Sequence, residues 1–240
     1  LFGAKYVEVA DPNYIHDVGG MADAINENTR LVFIANPNNP TGTLVGQEAL
    51  DRFMDRLPDH VVAVFDEAYF EFGKAVGAPD TLQILSRRSG PWLSTRTFSK
   101  AYAMAGARVG YGVAGSKEIA VAIRKVRDNY SLNRMALAGA IAALEDQSFV
   151  EELVGFVLAE QQRIAAALNP FGFRVLSGAS NFAAIETPLP ATDLLGALKQ
   201  QGILIQSFPM NGREYLRATI GSTESNDALI SAMTSCVGSK

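Results

Sequence analysis

Apolar residues in this chain fall into short unbroken runs separated by longer stretches with helical spacing. Leu31-Val32-Phe33-Ile34 and Val61-Val62-Ala63-Val64-Phe65 are apolar throughout, and between them Gln47 to Arg56 repeats apolar positions every three or four residues. Unbroken apolar strands joined by helices predict a parallel sheet covered on both faces. Lys5-Tyr6-Val7-Glu8-Val9 alternates and predicts a strand near the start, so the chain is read as a piece of a longer one. Residues 133–144 are rich in Ala and Leu, and Phe149 to Leu168 keep apolar positions at helical spacing, which predicts two long helices. After Asn169-Pro170 short strands return at Phe171 to Leu176, Phe182 to Ile185, Ile203 to Ile205 and Tyr215 to Ile220, with a helix at Thr192 to Gln201. The expected fold is α/β: a mostly parallel-sheet large domain over residues 1–150 and a smaller α+β domain over residues 151–240.

Composition narrows the classes of function. Hydrophobic residues make up 48% and charged residues 19%, enough apolar surface for a core and too little charge for a disordered chain. The net charge of −4 is small and its signs are interspersed. No basic stripe is available for nucleic acid and no polybasic anchor for a membrane surface. The lone Cys236 and the lack of any Cys/His cluster argue against an intrachain disulfide and a structural metal, and suit a reducing cytoplasmic setting. No apolar run approaches the ~20 residues that span a bilayer, and Leu1 to Lys5 do not open like a secretory signal.

The chemistry gathers where the predicted strands end, which in open α/β sheets is where ligands bind. Asp66 closes an apolar run, and a desolvated carboxylate there needs a cationic partner, such as a protonated pyridine nitrogen. Alone it reads equally well as a turn cap. Thr97-Phe98-Ser99-Lys100 sets an amine beside two hydroxyls, with Arg108 following a small-residue segment. An amine can form an imine, and two hydroxyls with a forked guanidinium suit a phosphate. Asn36-Pro37-Asn38-Asn39-Pro40-Thr41-Gly42 is a rigid turn-forming loop, and an Asn amide there or the Tyr69 hydroxyl could meet a phenolate oxygen. Gly110-Tyr111-Gly112-Val113-Ala114-Gly115 matches the dinucleotide fingerprint by letter, but Ala105 to Arg108 before it is no apolar strand, so a dehydrogenase is set aside.

Five blocks in order carry a resemblance: Asn36 to Gly42, Asp66-Glu67-Ala68-Tyr69, Arg96 to Tyr102, Ala105 to Tyr111, and Leu216-Arg217-Ala218-Thr219-Ile220-Gly221. Together they resemble the fold-type-I pyridoxal-phosphate aminotransferases, in detail the histidinol-phosphate aminotransferase branch. The resemblance implies pyridoxal 5'-phosphate as cofactor, amino-acid and 2-oxo-acid substrates, and a homodimer. It implies Lys100 as the imine-forming lysine, Asp66 against the pyridine nitrogen, and Asn39 and Tyr69 on the ring hydroxyl oxygen. Thr97, Ser99 and Arg108 are implied as the phosphate cup, Arg217 as the grip on the substrate α-carboxylate, and Asn181 as a neighbour of the substrate. Two departures stand out. Family members usually begin roughly a hundred residues earlier, and Gln206 stands where the histidinol-phosphate pattern has an arginine. A phosphorylated and an aromatic or other substrate both stay open. The alternatives are a decarboxylase of the threonine-phosphate type, which uses the same electron sink, and a non-catalytic remnant.

Overall fold

The computed structural model describes residues 3–176 and 178–238. Two four-stranded sheets organise them. Helix α1 (Val18–Ala24) leads into β1 (Leu31–Ala35), α2 (Gln47–Arg56), β2 (Val62–Asp66), α3 (Phe70–Ala75), α4 (Thr81–Ser86), β3 (Trp92–Thr97) and β4 (Gly110–Ala114). The first three strands lie parallel in sequence order, and β4 turns back antiparallel along β3. Parallel neighbours require the chain to be carried back over the sheet, and the helices between them do so. Leu50 and Phe53 form the buried stripe of α2 and, with Leu57 just past its end, pack on Val32, Ile34, Ala63 and Phe65. Because the parallel strands share a direction, Asn36, Glu67 and Phe98 all leave the sheet at one edge.

The strands correct two expectations. The first is the covering of both faces: β1 alternates exposed and buried positions, and Leu31 and Phe33 keep 52% and 66% of their surface open. An unbroken apolar run shows that each side chain tolerates burial, not that this stretch of chain supplies a layer for each face. The second is a strand at Lys5 to Val9, which forms none. Tyr6 and Val7 are exposed there, and no described strand pairs with this segment, so alternation alone makes no ladder. The stretch with the dinucleotide spacing is β4 itself, an edge strand rather than a phosphate-binding turn.

Helices α5 (Lys117–Val126), α6 (Arg134–Glu145) and α7 (Gln147–Leu168) lead to β5 (Arg174–Val175), β6 (Phe182–Glu186), α8 (Ala191–Gln200), β7 (Gln206–Met210), β8 (Arg213–Thr219) and α9 (Thr223–Gly238). Asn133 caps α6 through the Ala136 amide and Asp146 caps α7 through the Phe149 amide, which separates two helices that composition alone would fuse. The second sheet is antiparallel in the order β5-β6-β8-β7. Two strand positions differ from the expected ones. Ile203 to Ile205 precede β7, because pairing with β8 begins at Gln206 opposite Arg217, and Leu204 stays exposed. Phe171 to Leu176 shrinks to the two residues of β5, because Asn169 to Phe171 form a tight turn that Gly172 ends at φ +83°.

One core cluster joins Val150, Val154, Ile164, Leu168, Leu194, Leu216 and Met233 to Tyr69 and Phe72 from the first unit. Residue 150 itself lies in the first turn of α7. The backbones also touch: the Ala179 amide donates to the Gly42 carbonyl at 2.7 Å. A Cβ at position 178 would lie 2.9 Å from the Gly42 Cα, so only glycine permits this approach. No helix of the described residues is long and apolar enough to cross a membrane.

Candidate active site

The loop after β1 is held by its own asparagines. Asn36 accepts from the Val45 amide at 2.8 Å, and Asn38 donates to the Thr41 hydroxyl at 3.0 Å while its backbone amide donates to the Thr43 carbonyl. Both are buried, and the Asn36-Pro37 and Asn39-Pro40 bonds are cis. Asn39 differs from its neighbours in being exposed, which leaves its amide for something outside the loop. Asp66 ends β2 between Ala35 and Thr95, its side chain open and accepting from the Ala68 amide at 2.9 Å.

The turn after β3 gathers donors. The Thr97 hydroxyl lies 2.9 Å from the Ser99 hydroxyl and accepts from the Ser99 amide at 3.1 Å. Arg108 reaches the Ser99 hydroxyl at 3.5 Å while donating to the Ala105 carbonyl at 2.9 Å. Arg108 holds a left-handed backbone at φ +56°, uncommon for a residue with a side chain. Two hydroxyls and a guanidinium thus converge on one open spot, the donor set that a phosphate requires.

A second group forms where the two sheets meet. Tyr69 is 2% exposed and caps α3, and its hydroxyl accepts from Arg217 of β8 at 3.3 Å. The Lys100 amine lies 5.4 Å from the Tyr69 ring centre. Phe182 packs edge-on to Tyr69 with centres 5.5 Å apart and carries the Arg217 guanidinium 4.0 Å above its ring. The Nε of Arg217 is buried without a hydrogen-bond partner among the described residues. A buried donor left unpaired costs ~1–3 kcal/mol, so this guanidinium is organised for an acceptor that the described residues do not supply. Lys100, Tyr69 and Arg217, 148 residues apart at the extremes, are therefore brought together. Asn181 adjoins Phe182 and engages β8 through its carbonyl, which accepts from the Ile220 amide. Phe182 escaped the sequence reading because a core aromatic carries no chemical label.

Glu67 and Arg96 were also unassigned by sequence. The Glu67 carboxylate is buried, accepts from the Ser94 hydroxyl, and meets Arg96 Nε at 3.1 Å. The Arg96 guanidinium lies 3.4 Å over the Phe70 ring and its residue faces Tyr111 across β3 and β4. Burial, the largest influence, works against the Arg96 charge, but the Glu67 carboxylate and the Tyr111 hydroxyl together outweigh it and raise its pKa. Glu71, half-buried nearby, is pushed up by burial, with Arg96 opposing.

Comparison with known proteins fits this geometry. The family model for aminotransferase class I and II matches residues 1–233. The chain is 41% identical over 223 residues to histidinol-phosphate aminotransferase 2 of Methylococcus capsulatus, covering 92% of this chain and 60% of that protein. It is 38% identical over 229 residues to an aromatic amino acid aminotransferase of Streptomyces avermitilis, covering 95% and 62%. The crystal structure of histidinol-phosphate aminotransferase from Sinorhizobium meliloti in complex with pyridoxal-5'-phosphate superposes with a TM-score of 0.87 at 31% identity, over 97% of this chain and 64% of that one. The chain thus spans about 60% of the length of the curated relatives it matches. With the family match running across nearly its whole length, the chain belongs to the class I and II aminotransferases.

Proposed function

We propose that the protein carrying this chain is a pyridoxal-5'-phosphate-dependent aminotransferase that moves an amino group between an amino acid and a 2-oxo acid. The observation that carries the reading is the meeting of Lys100, Tyr69 and an Arg217 with an orphaned Nε, beside the separate donor cup of Thr97, Ser99 and Arg108. The first group suits an amine and a carboxylate, the second a phosphate, and a phosphorylated aldehyde cofactor with an amino-acid substrate needs both. When bound, that cofactor supplies an aldehyde for amine capture and a protonated pyridine ring that accepts electrons from the substrate α-carbon.

The chain's own residues then have distinct work. Thr97, Ser99 and Arg108 hold the phosphate. Asp66 keeps a proton on the ring nitrogen, since a carboxylate partner favours the charged form. Asn39 and Tyr69 hold the ring hydroxyl oxygen, and Tyr69 passes its orientation to Arg217 through their hydrogen bond. Arg217 forks onto the substrate α-carboxylate, with Asn181 beside it. The Lys100 amine would hold the cofactor, and as a free amine it would move the proton at the substrate α-carbon.

Gln206 faces Arg217 across β7 and β8. A phosphate on the substrate would call for a second cation beside Arg217, and a neutral amide stands there, which favours an aromatic or other unphosphorylated amino acid over histidinol phosphate. We take residues 1–150 and 151–240 as the large and small domains, the assembly as a homodimer, and the location as cytoplasmic. The dimer reading is supported by Met135, Leu137, Ile141 and Leu144, exposed apolar residues along α6. Borohydride treatment of the cofactor-supplied full-length protein, followed by peptide mapping, should mark Lys100; an unmarked Lys100 refutes the reading. Amino acids added singly should convert the bound cofactor and yield the matching oxo acid, whereas carbon dioxide release would assign a decarboxylase.

A further inference from the structure

We propose that Glu67 and Arg96 form a positioning clamp that fixes Asp66, Tyr69 and Thr97 relative to one another, from the sheet face opposite the cofactor. The proposal rests on the cofactor reading above. Side chains alternate along a strand, so Asp66, Thr95 and Thr97 share one face of the sheet while Ser94, Arg96 and, beyond the strand end, Glu67 point to the other. The pair therefore touches no reacting group. Its neighbours in the chain do: Asp66 precedes Glu67, Thr97 follows Arg96, and Tyr69 precedes Phe70, whose ring lies under the Arg96 guanidinium.

One carboxylate and one guanidinium thus tie four elements together. Glu67 leaves β2, accepts from Ser94 and Arg96 of β3, and has its backbone amide on the Thr95 carbonyl at 2.9 Å. Arg96 stacks on the first residue of α3 and faces Tyr111 of β4. The Glu67 side chain is 2% exposed and that of Arg96 10%, so water does little to loosen the pair. Asp66, in contrast, is exposed and braced through the Ala68 amide, inside the turn that Glu67 anchors. A buried ion pair is weak evidence of stabilisation, because two apolar residues of similar volume often serve as well. What apolar residues cannot reproduce is a directional lock, and a shift of about 1 Å in a catalytic group costs roughly a hundredfold in rate.

The test uses the full-length protein and the variants Glu67→Gln, Arg96→Lys and the double variant E67M/R96M. Cofactor affinity is read from the absorbance of the bound cofactor during titration. The amino-acid half-reaction gives the rate at saturation and the half-saturating concentration separately, and thermal unfolding is recorded without cofactor. The double variant leaves no unpaired charge and keeps it foldable even where a single variant fails. The clamp predicts that every folded variant binds cofactor at least tenfold more weakly and reacts at least tenfold more slowly at saturation. The half-saturating concentration rises less than the rate falls, since the Arg217 grip is reached only through its hydrogen bond to Tyr69. A purely stabilising pair predicts a shifted unfolding temperature with affinity and rate unchanged in the folded double variant, and that result overturns the clamp. If the unsubstituted protein takes up no cofactor, the cofactor reading falls and the clamp with it.

Discussion

Replacing Arg217 by glutamine is the sharpest probe of the substrate side of the site. The guanidinium donates to the Tyr69 hydroxyl at 3.3 Å, covers the Phe182 ring at 4.0 Å and keeps a buried Nε without a partner. Hydrogen bonds to a charged group contribute ~1.5–3 kcal/mol each. Loss of a forked contact to a carboxylate, with glutamine recovering one bond, therefore leaves a deficit of about 3 kcal/mol, which is roughly a hundredfold in kcat/KM. Two substrates that differ only in the carboxylate, an amino acid and the corresponding simple amine, isolate this term. The variant should lose about a hundredfold on the amino acid and only a few-fold on the amine. An equal loss on both would show that Arg217 acts by supporting Tyr69 and Phe182, and would refute the carboxylate assignment. A second consequence concerns stability: the unsatisfied Nε costs ~1–3 kcal/mol in the ligand-free protein, so Arg217→Met should leave its thermal unfolding unchanged or raised. A clear drop in unfolding temperature would mean that the guanidinium is already satisfied.

Other outcomes follow from the packing. Gly178→Ala places a Cβ 2.9 Å from the Gly42 backbone and should cost ~1–3 kcal/mol by urea unfolding; a neutral result would show that the loops separate freely. Glu160 accepts from Arg163 at 2.8 and 2.7 Å and from Asn226 at 2.6 Å, and Asn226 in turn caps Gly221, so the carboxylate ties α7 to the start of α9. Arg163, and after it Asn226, hold its pKa down at about 2, against an ordinary 4.5. Its folded pKa is the lower one, so its contribution is full above pH 4.5 and lost as pH falls toward 2. Glu160→Gln should lower stability at pH 7 by ~1–3 kcal/mol and flatten the decline between pH 4.5 and 2; an unchanged acid profile would refute the network. Met135→Glu with Ile141→Glu, on exposed positions of α6, should convert the homodimer proposed above to monomer by sedimentation; an unaltered mass would refute α6 as its interface.

The residues that chemistry labels were legible in the sequence, and the residues that geometry employs were not. Lys100, Asp66 and Arg108 could be singled out because an amine, a carboxylate or a guanidinium set near a strand end invites a ligand, whereas Arg217, inside β8, was marked only by the resemblance. Helix α2 was readable to its limits because its apolar spacing repeats over several turns. Strand positions were less so, since a strand is defined by what it pairs with: Ile203 to Ile205 are as apolar as any strand, yet the ladder with β8 starts only at Gln206. The same reasoning explains Glu67 and Arg96. Each sits in a quoted block beside a labelled residue, but their bond joins positions 29 apart and exists only once β2 and β3 lie side by side. Strand alternation supplies the missing rule. When a reactive residue ends one parallel strand, the residue next to it faces the opposite side of the sheet, and a charge at that position demands a partner from the neighbouring strand. Read this way, Glu67 after Asp66 and Arg96 before Thr97 are the matching halves of one constraint, and the reactive face of the sheet is set by the bonds on the other.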